Sequence, residues 1–242
     1  MKGIILAAGR GTRLRPWTDD KPKPLLNMAG QPILNYILDG FAAAGVSDLF
    51  IVVGYLGDAM RNHYGSEYSG MRLAWLEQKE LLGTGHALML AEKELRCGDF
   101  MLGFGDVLVD HENYPALADF HSRGGFDASI TLNEVDDPYA GAAVYVDGDI
   151  VTKLIEKPPR GESTTTWNNR GLFIFTPVIF DEVRRLEKSP RGEYELPTAV
   201  NMLVESGKRV GAMPVTGFTS DVGTKEEFEE YESYIIKKRG SN

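Results

Sequence analysis

The chain has one cysteine, Cys97, in 242 residues, and that scarcity excludes an intramolecular disulfide framework and any Cys-rich zinc site. Long apolar runs are missing too: nothing approaches the roughly 20 consecutive residues that a membrane-spanning helix needs. The N-terminus enters a short strand-like segment without the features of a signal peptide, so the expected location is the cytoplasm. Positive charge is in deficit, with 26 Lys and Arg against 35 Asp and Glu and a formal net charge of -9. That balance argues against nucleic acid or an anionic membrane as partner, because both need a basic face to neutralise phosphates. The four histidines, His63, His86, His111 and His121, show neither metalloprotease spacing nor a nucleophile's partner pattern.

Against this acidic background the N-terminus stands out. Lys2 to Ala8 is short, apolar and ended by Gly9, which predicts a buried first strand. Immediately after it, five of the 14 residues from Arg10 to Lys23 are Lys or Arg. Gly9 and Gly11 let the backbone turn sharply and converge several N–H groups on one point, as phosphate-cradling loops do. Arg13 can meet phosphate oxygens bidentately. The familiar phosphate signatures do not fit: a Walker A loop needs Gly-Lys-Ser/Thr where Gly11-Thr12-Arg13 stands, and the dinucleotide fingerprint needs a small residue at Leu14. A small polyanion held by a local basic loop is the expectation.

Further along, strands are expected at Leu49–Gly54, Met71–Glu77 and Asp99–Gly105, alternating with helices after Gln31-Pro32 up to Gly45, over Leu56–Tyr64 and over Thr84–Leu95. Such alternation predicts an α/β, doubly wound, mostly parallel Rossmann-like sheet, with ligands beyond the carboxyl ends of its strands. The second half reads as strands at Ala128–Asn133, Ala142–Val146, Ile150–Glu156, Leu172–Phe175 and Arg209–Pro214, helices at Leu196–Ser206 and Lys225–Lys238, and a polar tail, Arg239 to Asn242. It predicts mixed-sheet extensions and a smaller lobe. One domain over 1–242 is expected, with a half at 1–125, a lobe at 126–220 and a closing segment at 221–242.

The stretch Leu6-Ala7-Ala8-Gly9-Arg10-Gly11-Thr12-Arg13-Leu14, followed by Lys21-Pro22-Lys23-Pro24-Leu25-Leu26, resembles the signature of the sugar-1-phosphate nucleotidylyltransferases, the nucleoside-diphosphate-sugar pyrophosphorylases. Later segments match in the expected order over nearly the whole chain. The resemblance implies a triphosphate gripped by Leu6, Ala7, Ala8, Gly9, Gly11, Thr12 and Arg13, with Lys23 at the reacting phosphates. Gln78, Gly83 and Thr84, in Gln78-Lys79-Glu80-Leu81-Leu82-Gly83-Thr84-Gly85-His86-Ala87, are similar to the base-reading segment of members that use UTP or dTTP. An amide at Gln78 can donate and accept at once, which suits a pyrimidine edge.

Asp106, after Phe104-Gly105, can hold Mg²⁺ while substrate phosphates supply other ligands. Asp221 resembles the family's second metal carboxylate, although Thr219-Ser220 stands where Trp-Leu or Trp-Val is usual. Gly141, in Tyr139-Ala140-Gly141, resembles the Tyr-Gly segment that approaches the sugar, with Ala140 inserted. Glu156-Lys157-Pro158 and Asn169-Arg170-Gly171 resemble the Glu-Lys-Pro and Asn-x-Gly signatures, implying that Glu156 and Asn169 meet the sugar and Lys157 its phosphate. The implied reaction joins a nucleoside triphosphate to a sugar 1-phosphate, with Arg13, Lys23 and Lys157 as the catalytic cations. UTP or dTTP and glucose 1-phosphate are favoured, and N-acetylglucosamine 1-phosphate stays open. So do CTP or GTP, a homo-oligomeric assembly and a non-catalytic sensor of nucleotide-sugars.

Overall fold

The computed structural model describes residues 1–240 of the chain, so the last two residues of the expected polar tail lie outside the described residues. The first strand, β1 (Lys2–Ala7), is buried at five of its six positions. An apolar run of that kind is what a central strand covered on both faces requires. Burying each of Ile4 and Ile5, both fully enclosed, contributes about 1.5–3 kcal/mol relative to exposure. A short hairpin, β2 (Asn27–Met28) and β3 (Gln31–Pro32), leads to helix α1 (Ile33–Ala43). Ile33, Leu34, Ile37, Leu38 and Phe41 form its buried stripe, and Gly45 in the left-handed region follows its end.

The chain continues through β4 (Asp48–Val53), α2 (Gly57–Tyr64), β5 (Glu67–Tyr68), β6 (Met71–Glu77), α3 (Thr84–Met89), α4 (Glu92–Leu95), β7 (Phe100–Phe104) and β8 (Leu108–Val109). Next come α5 (Asn113–Gly124), β9 (Ala128–Glu134), β10 (Ala142–Asp147), β11 (Ile150–Glu156) and β12 (Trp167–Phe175). The last elements are α6 (Ile179–Arg184), α7 (Leu196–Glu205), β13 (Val210–Pro214), β14 (Thr219–Ser220) and α8 (Lys225–Gly240).

Ten strands form one mixed sheet in the order β10-β11-β13-β9-β12-β7-β1-β4-β6-β5. β1 pairs in parallel with both β4 and β7. The chain therefore leaves β1 toward one edge and returns on its other side at β7, which makes the carboxyl ends of β1 and β7 a topological switch point. A crevice opens there. β12 enters antiparallel between β7 and β9, so the strands of the second half extend the same sheet. Two apolar layers cover it: Ile5, Ala7, Ile37, Leu117 and Phe228 belong to one, and Ile4, Leu6, Leu88, Phe180 and Val200 to the other. The alternation of Ile4, Leu6 and Ala8 against Ile5 and Ala7 along β1 is the strand period made visible.

Three local expectations change. The single helix expected over Thr84–Leu95 is two, α3 and α4, because Leu90 and Ala91 bond back three residues to Ala87 and Leu88 in a tighter turn. The sequence reading expects no element between Gly105 and Ala128, yet α5 forms there, its buried stripe of Tyr114, Leu117 and His121 diluted by polar residues and Pro115. The strand expected from Leu172 begins at Trp167 and carries a register shift between Asn169 and Phe173. No described helix is long and apolar enough to cross a membrane.

Candidate functional site

At the switch point the chain after β1 turns at Gly11, whose φ of 60° belongs to the left-handed region. The carbonyl of Gly11 accepts from Leu14 N at 3.0 Å and from the buried Thr18 hydroxyl at 2.9 Å, fixing a single 3-10 turn at Thr12–Leu14. Leu6, Ala7, Ala8, Gly9 and Gly11 form one wall of a cavity of about 350 Å³. Gln78, Gly83 and Thr84 line the same cavity, as do Lys23, Gly105 and Asp106. Thr12 and Arg13 are exposed on the 3-10 turn and lie in neither this wall nor that of the neighbouring cavity. The Arg13 guanidinium instead packs on Gly223, where a side chain's Cβ would meet Nη2 at 2.8 Å.

Gln78 is buried at the end of β6, its backbone N–H bonded to Val53 O at 2.8 Å. Its amide nitrogen donates to Gly83 O at 3.1 Å and to His86 Nδ1 at 3.0 Å. Both of its N–H donors are spent. The expectation that Gln78 would donate and accept at once is therefore narrowed to its oxygen, which is left to accept. Gly83 has φ 98°, and Tyr194 O would lie 2.6 Å from any Cβ there. That close approach exists because segment 193–196 lies on the start of α3, through Tyr194 N to Leu82 O, Gly85 N to Tyr194 O, and Leu196 N to the Thr84 hydroxyl.

A second cavity, of about 250 Å³, adjoins the first, since Thr84, Phe104 and Glu193 line both. Gly141, Glu156, Lys157, Asn169 and Asp221 all lie in its wall. Gly141 permits a tight contact: Asn168 Oδ1, which accepts from Ala142 N at 3.1 Å, would be 2.1 Å from a Cβ at 141. Lys157 is exposed with φ 44°, its N–H bonded to Gly141 O at 2.8 Å. The irregular register of β12 re-aims Asn169 and Arg170 into the wall, as bulges do.

Lys23 connects the two cavities. Its side chain is 6% exposed, and its ammonium donates to Asp106 Oδ2 at 3.0 Å and to Asp221 O at 2.8 Å. Asp106 follows β7 directly, whereas Asp221 arrives from 115 residues later because β14 pairs with β8 in the register Ser220 opposite Leu108. The Asp106 carboxylate, 47% exposed, and the Asp221 carbonyl thus share one buried ammonium, while the Asp221 carboxylate, 54% exposed, is bonded to Arg170.

The structure also brings in residues that the sequence reading does not assign. Arg191 Nη2 bonds Glu156 Oε1 at 3.1 Å and Glu195 Oε1 at 2.7 Å. Burial, reinforced by the charge of Glu195 and opposed by Arg191, pushes the Glu156 carboxyl up to about 7. Arg170, buried, bonds Asp221 Oδ1 at 2.5 Å. The mixed run Arg191-Gly192-Glu193-Tyr194-Glu195 just before α7 is the signal that could have marked the first group. Arg170 is visible in sequence only as the middle residue of Asn169-Arg170-Gly171.

Residues 2–238 match the model of the family described as nucleotidyl transferase. The chain is 36% identical over 238 residues to the UTP–glucose-1-phosphate uridylyltransferase AglF of Haloferax volcanii, covering 97% of this chain and 96% of that one. It is 33% identical to the glucose-1-phosphate thymidylyltransferase of Streptomyces antibioticus, over 98% of this chain and 67% of the relative. Its fold superposes on the crystal structure of a UDP-glucose pyrophosphorylase complexed with UDP-glucose, with a TM-score of 0.89 and 98% of each chain covered at 20% identity.

Proposed function

The chain belongs to the nucleotidyl transferase family, and we propose that it transfers a nucleotidyl group from a nucleoside triphosphate to a sugar 1-phosphate, giving a nucleotide-sugar and pyrophosphate. The observation that carries this reading is the junction of the two cavities at Lys23, Asp106 and Asp221. One cavity suits a nucleotide: it is lined by small and apolar residues and a buried amide. The second, lined by Glu156, Asn169, Lys157 and Arg191, offers acceptors for hydroxyls and cations for a phosphate. Residues 1–125 supply most of the first, 126–220 most of the second, and the segment from 221 the second carboxylate.

The sugar phosphate oxygen attacks the α-phosphorus, a new P–O bond forms, and the bond to the bridging oxygen breaks as pyrophosphate leaves with its electron pair. An ionised phosphate needs no general base, in keeping with a cleft that pairs no histidine with a nucleophile. The work left to the protein is alignment and neutralisation of two polyanions. Lys23 sits at the junction for the reacting phosphates, Lys157 and Arg191 on the sugar-phosphate side, and Arg13 at the exposed turn for the departing phosphates. Gln78, with only its oxygen free, accepts from a ring N–H, a match to the imide of uracil or thymine. Cytosine has no such ring N–H, whereas guanine has one at N1, so the acceptor disfavours CTP. The uridylyl- and thymidylyltransferase relatives favour UTP or dTTP over GTP, and glucose 1-phosphate is the first sugar phosphate to test.

Among the described residues no group of three or more His, Cys, Asp or Glu is placed to hold a metal ion. Asp106 and Asp221 are two, and each has one carboxylate oxygen bonded to a cation of the chain and the other without a protein partner. Two hard, monodentate oxygens beside a substrate cleft fit Mg²⁺, which keeps waters and takes substrate phosphates as its remaining ligands. Mg²⁺ bound there would supply neutralisation of charge at the α-phosphate.

A matrix of UTP, dTTP, CTP and GTP against glucose 1-phosphate and N-acetylglucosamine 1-phosphate, read by pyrophosphate release, tests the proposal. Turnover with UTP or dTTP is expected. Binding of a nucleotide-sugar without turnover in any combination would instead make the chain a sensor.

A further inference from the structure

Arg170 is unusual among the charged residues of the cleft. It is 7% exposed, and it stands at the register shift of β12, with Gly171 beside it at φ 73°. Nε donates to the Thr219 hydroxyl at 2.5 Å, and that hydroxyl donates in turn to Leu108 O at 2.8 Å. Nη1 meets Asp221 Oδ1 at 2.5 Å. Nη2 is buried without a partner among the described residues. A guanidinium enclosed only for packing would be fully paired, because a buried polar group left without a partner costs about 1–3 kcal/mol. Arg170 therefore bears an electrostatic tie to Asp221 at a cost to the fold.

The consequences reach both carboxylates. Thr219 lies in β14 and Leu108 in β8, the two short strands whose pairing carries Asp221 to Asp106. The chain of bonds from Leu108 O through Thr219 and Arg170 to Asp221 Oδ1 closes on that pairing. Lys23 completes the frame from the other side, holding Asp106 Oδ2 and the Asp221 carbonyl. Each carboxylate is thus gripped by one oxygen, and Asp106 Oδ1 and Asp221 Oδ2 make no bond to the described residues.

We infer that Arg170 is a positioning residue for the metal pair: anchored by Thr219, it holds Asp221 by one oxygen and presents the other as a monodentate ligand. This rests on the reading of Asp106 and Asp221 as metal ligands. A group hydrogen-bonded to a ligating carboxylate, and so orienting it, usually sets 10- to 100-fold of the metal affinity. The same cation opposes a divalent ion at close range, so orientation gains by holding Asp221 in place and loses by repulsion. The inference is that orientation wins, since a free Asp221 would first have to give up rotamer freedom.

The test uses Mn²⁺ as an EPR-visible probe, titrated into the full chain with UTP present and corrected with a protein-free Mn²⁺–UTP blank. Arg170→Gln is expected to weaken Mn²⁺ binding by about 10- to 100-fold, Arg170→Lys to recover part of it, and Thr219→Val to weaken it less than Arg170→Gln. UTP binding in EDTA should be unchanged in all three, a readout that general damage to the cleft would move. Asp221→Asn, run in parallel, should lose the protein-dependent signal. Wild-type or tighter Mn²⁺ binding by Arg170→Gln, with Asp221→Asn defective, overturns the role of Arg170 and leaves the metal reading standing. Wild-type binding by Asp221→Asn overturns both. Should Arg170→Gln not fold, Thr219→Val decides, because it removes only the anchor of the guanidinium.

Discussion

The two adjoining cavities, tied together by the bonds of Lys23 to Asp106 of the first and Asp221 of the second, are built on different principles. The first is walled mainly by small and apolar residues, Leu6 to Gly9 and Gly11 with Gly83 and Ala87, with a single buried amide at Gln78 and charge confined to Lys23, Asp106 and Glu193. The second is walled by charged side chains: Arg191 pairs with Glu156 and Glu195, Arg170 pairs with Asp221, and Lys157 stands exposed beside them. A wall of small and apolar residues recognises by shape and by fixed N–H and C=O groups, and it changes little as the ligand enters. A wall of paired charges has to exchange partners when a phosphate and hydroxyls arrive. On the proposed function, the rigid side takes the nucleotide and the adaptable side the sugar phosphate.

The largest expected effect comes from the junction, where the comparison would collapse if either cavity worked alone. Asp106→Asn and Lys23→Ala should each lower kcat on the order of 10³-fold, the scale of several kcal/mol of lost phosphate neutralisation. Pyrophosphate release measures this, and circular dichroism checks that the fold survives. Retained turnover in either variant would remove the junction from the mechanism.

Next, one methyl group on each side separates the two walls. Gly141→Ala places a Cβ 2.1 Å from Asn168 Oδ1, so Asn168 must move. Gly83→Ala drives a Cβ to 2.6 Å from Tyr194 O at a φ of 98°. Because a displacement of about 1 Å can cost up to 10²-fold, Gly141→Ala should raise KM for the sugar phosphate by roughly tenfold or more, with a small change for the triphosphate. Gly83→Ala should do the reverse. Steady-state kinetics with each substrate varied in turn measures both, and equal rises in both KM values would show one undivided site.

The smallest effect is in pH. The Glu156 carboxyl is raised from its ordinary value of 4.5 to about 7 by burial and then by the Glu195 charge. Between those values the folded protein holds a proton that the unfolded chain has released. Stability from this group is therefore full below about 4.5 and is lost as pH rises to about 7. Thermal melts from pH 5 to 8 should show wild type losing on the order of 1–2 kcal/mol more than Glu156→Gln over that range. In the same window KM for the sugar phosphate should fall as the carboxylate forms and accepts from hydroxyls. Parallel melting profiles for the two proteins would detach Glu156 from this titration.

The unequal legibility of the two cavities follows from how each is made. Leu6 to Gly11 is contiguous, so an apolar strand, two glycines and a run of cations announce it without knowledge of the fold. Gln78, Gly83 and Thr84 likewise share one segment. Arg191 and Glu195 join Glu156 from 35 and 39 residues away, and the mixed run that carries them is a faint signal, close in composition to a solvated charge run. α5 escaped for a related reason: its apolar stripe is short and interrupted, and burial against the sheet stabilises it where propensity alone would not.

By itself the sequence determined the buried first strand, the strand–helix alternation of the first half, the glycine-bearing basic turn and the kinds of residue that face a polyanion. These rest on periodicity, backbone freedom and charge, which are local properties. Only the tertiary structure decided that Asp221 stands beside Asp106, that Lys23 bridges them, that Arg13 packs on Gly223, and that Arg170 holds the second carboxylate. Those depend on β14 pairing with β8 and on β12 entering between β7 and β9. Contacts between residues 51 or more positions apart are set by the packing of the whole sheet and leave no periodic trace in the chain.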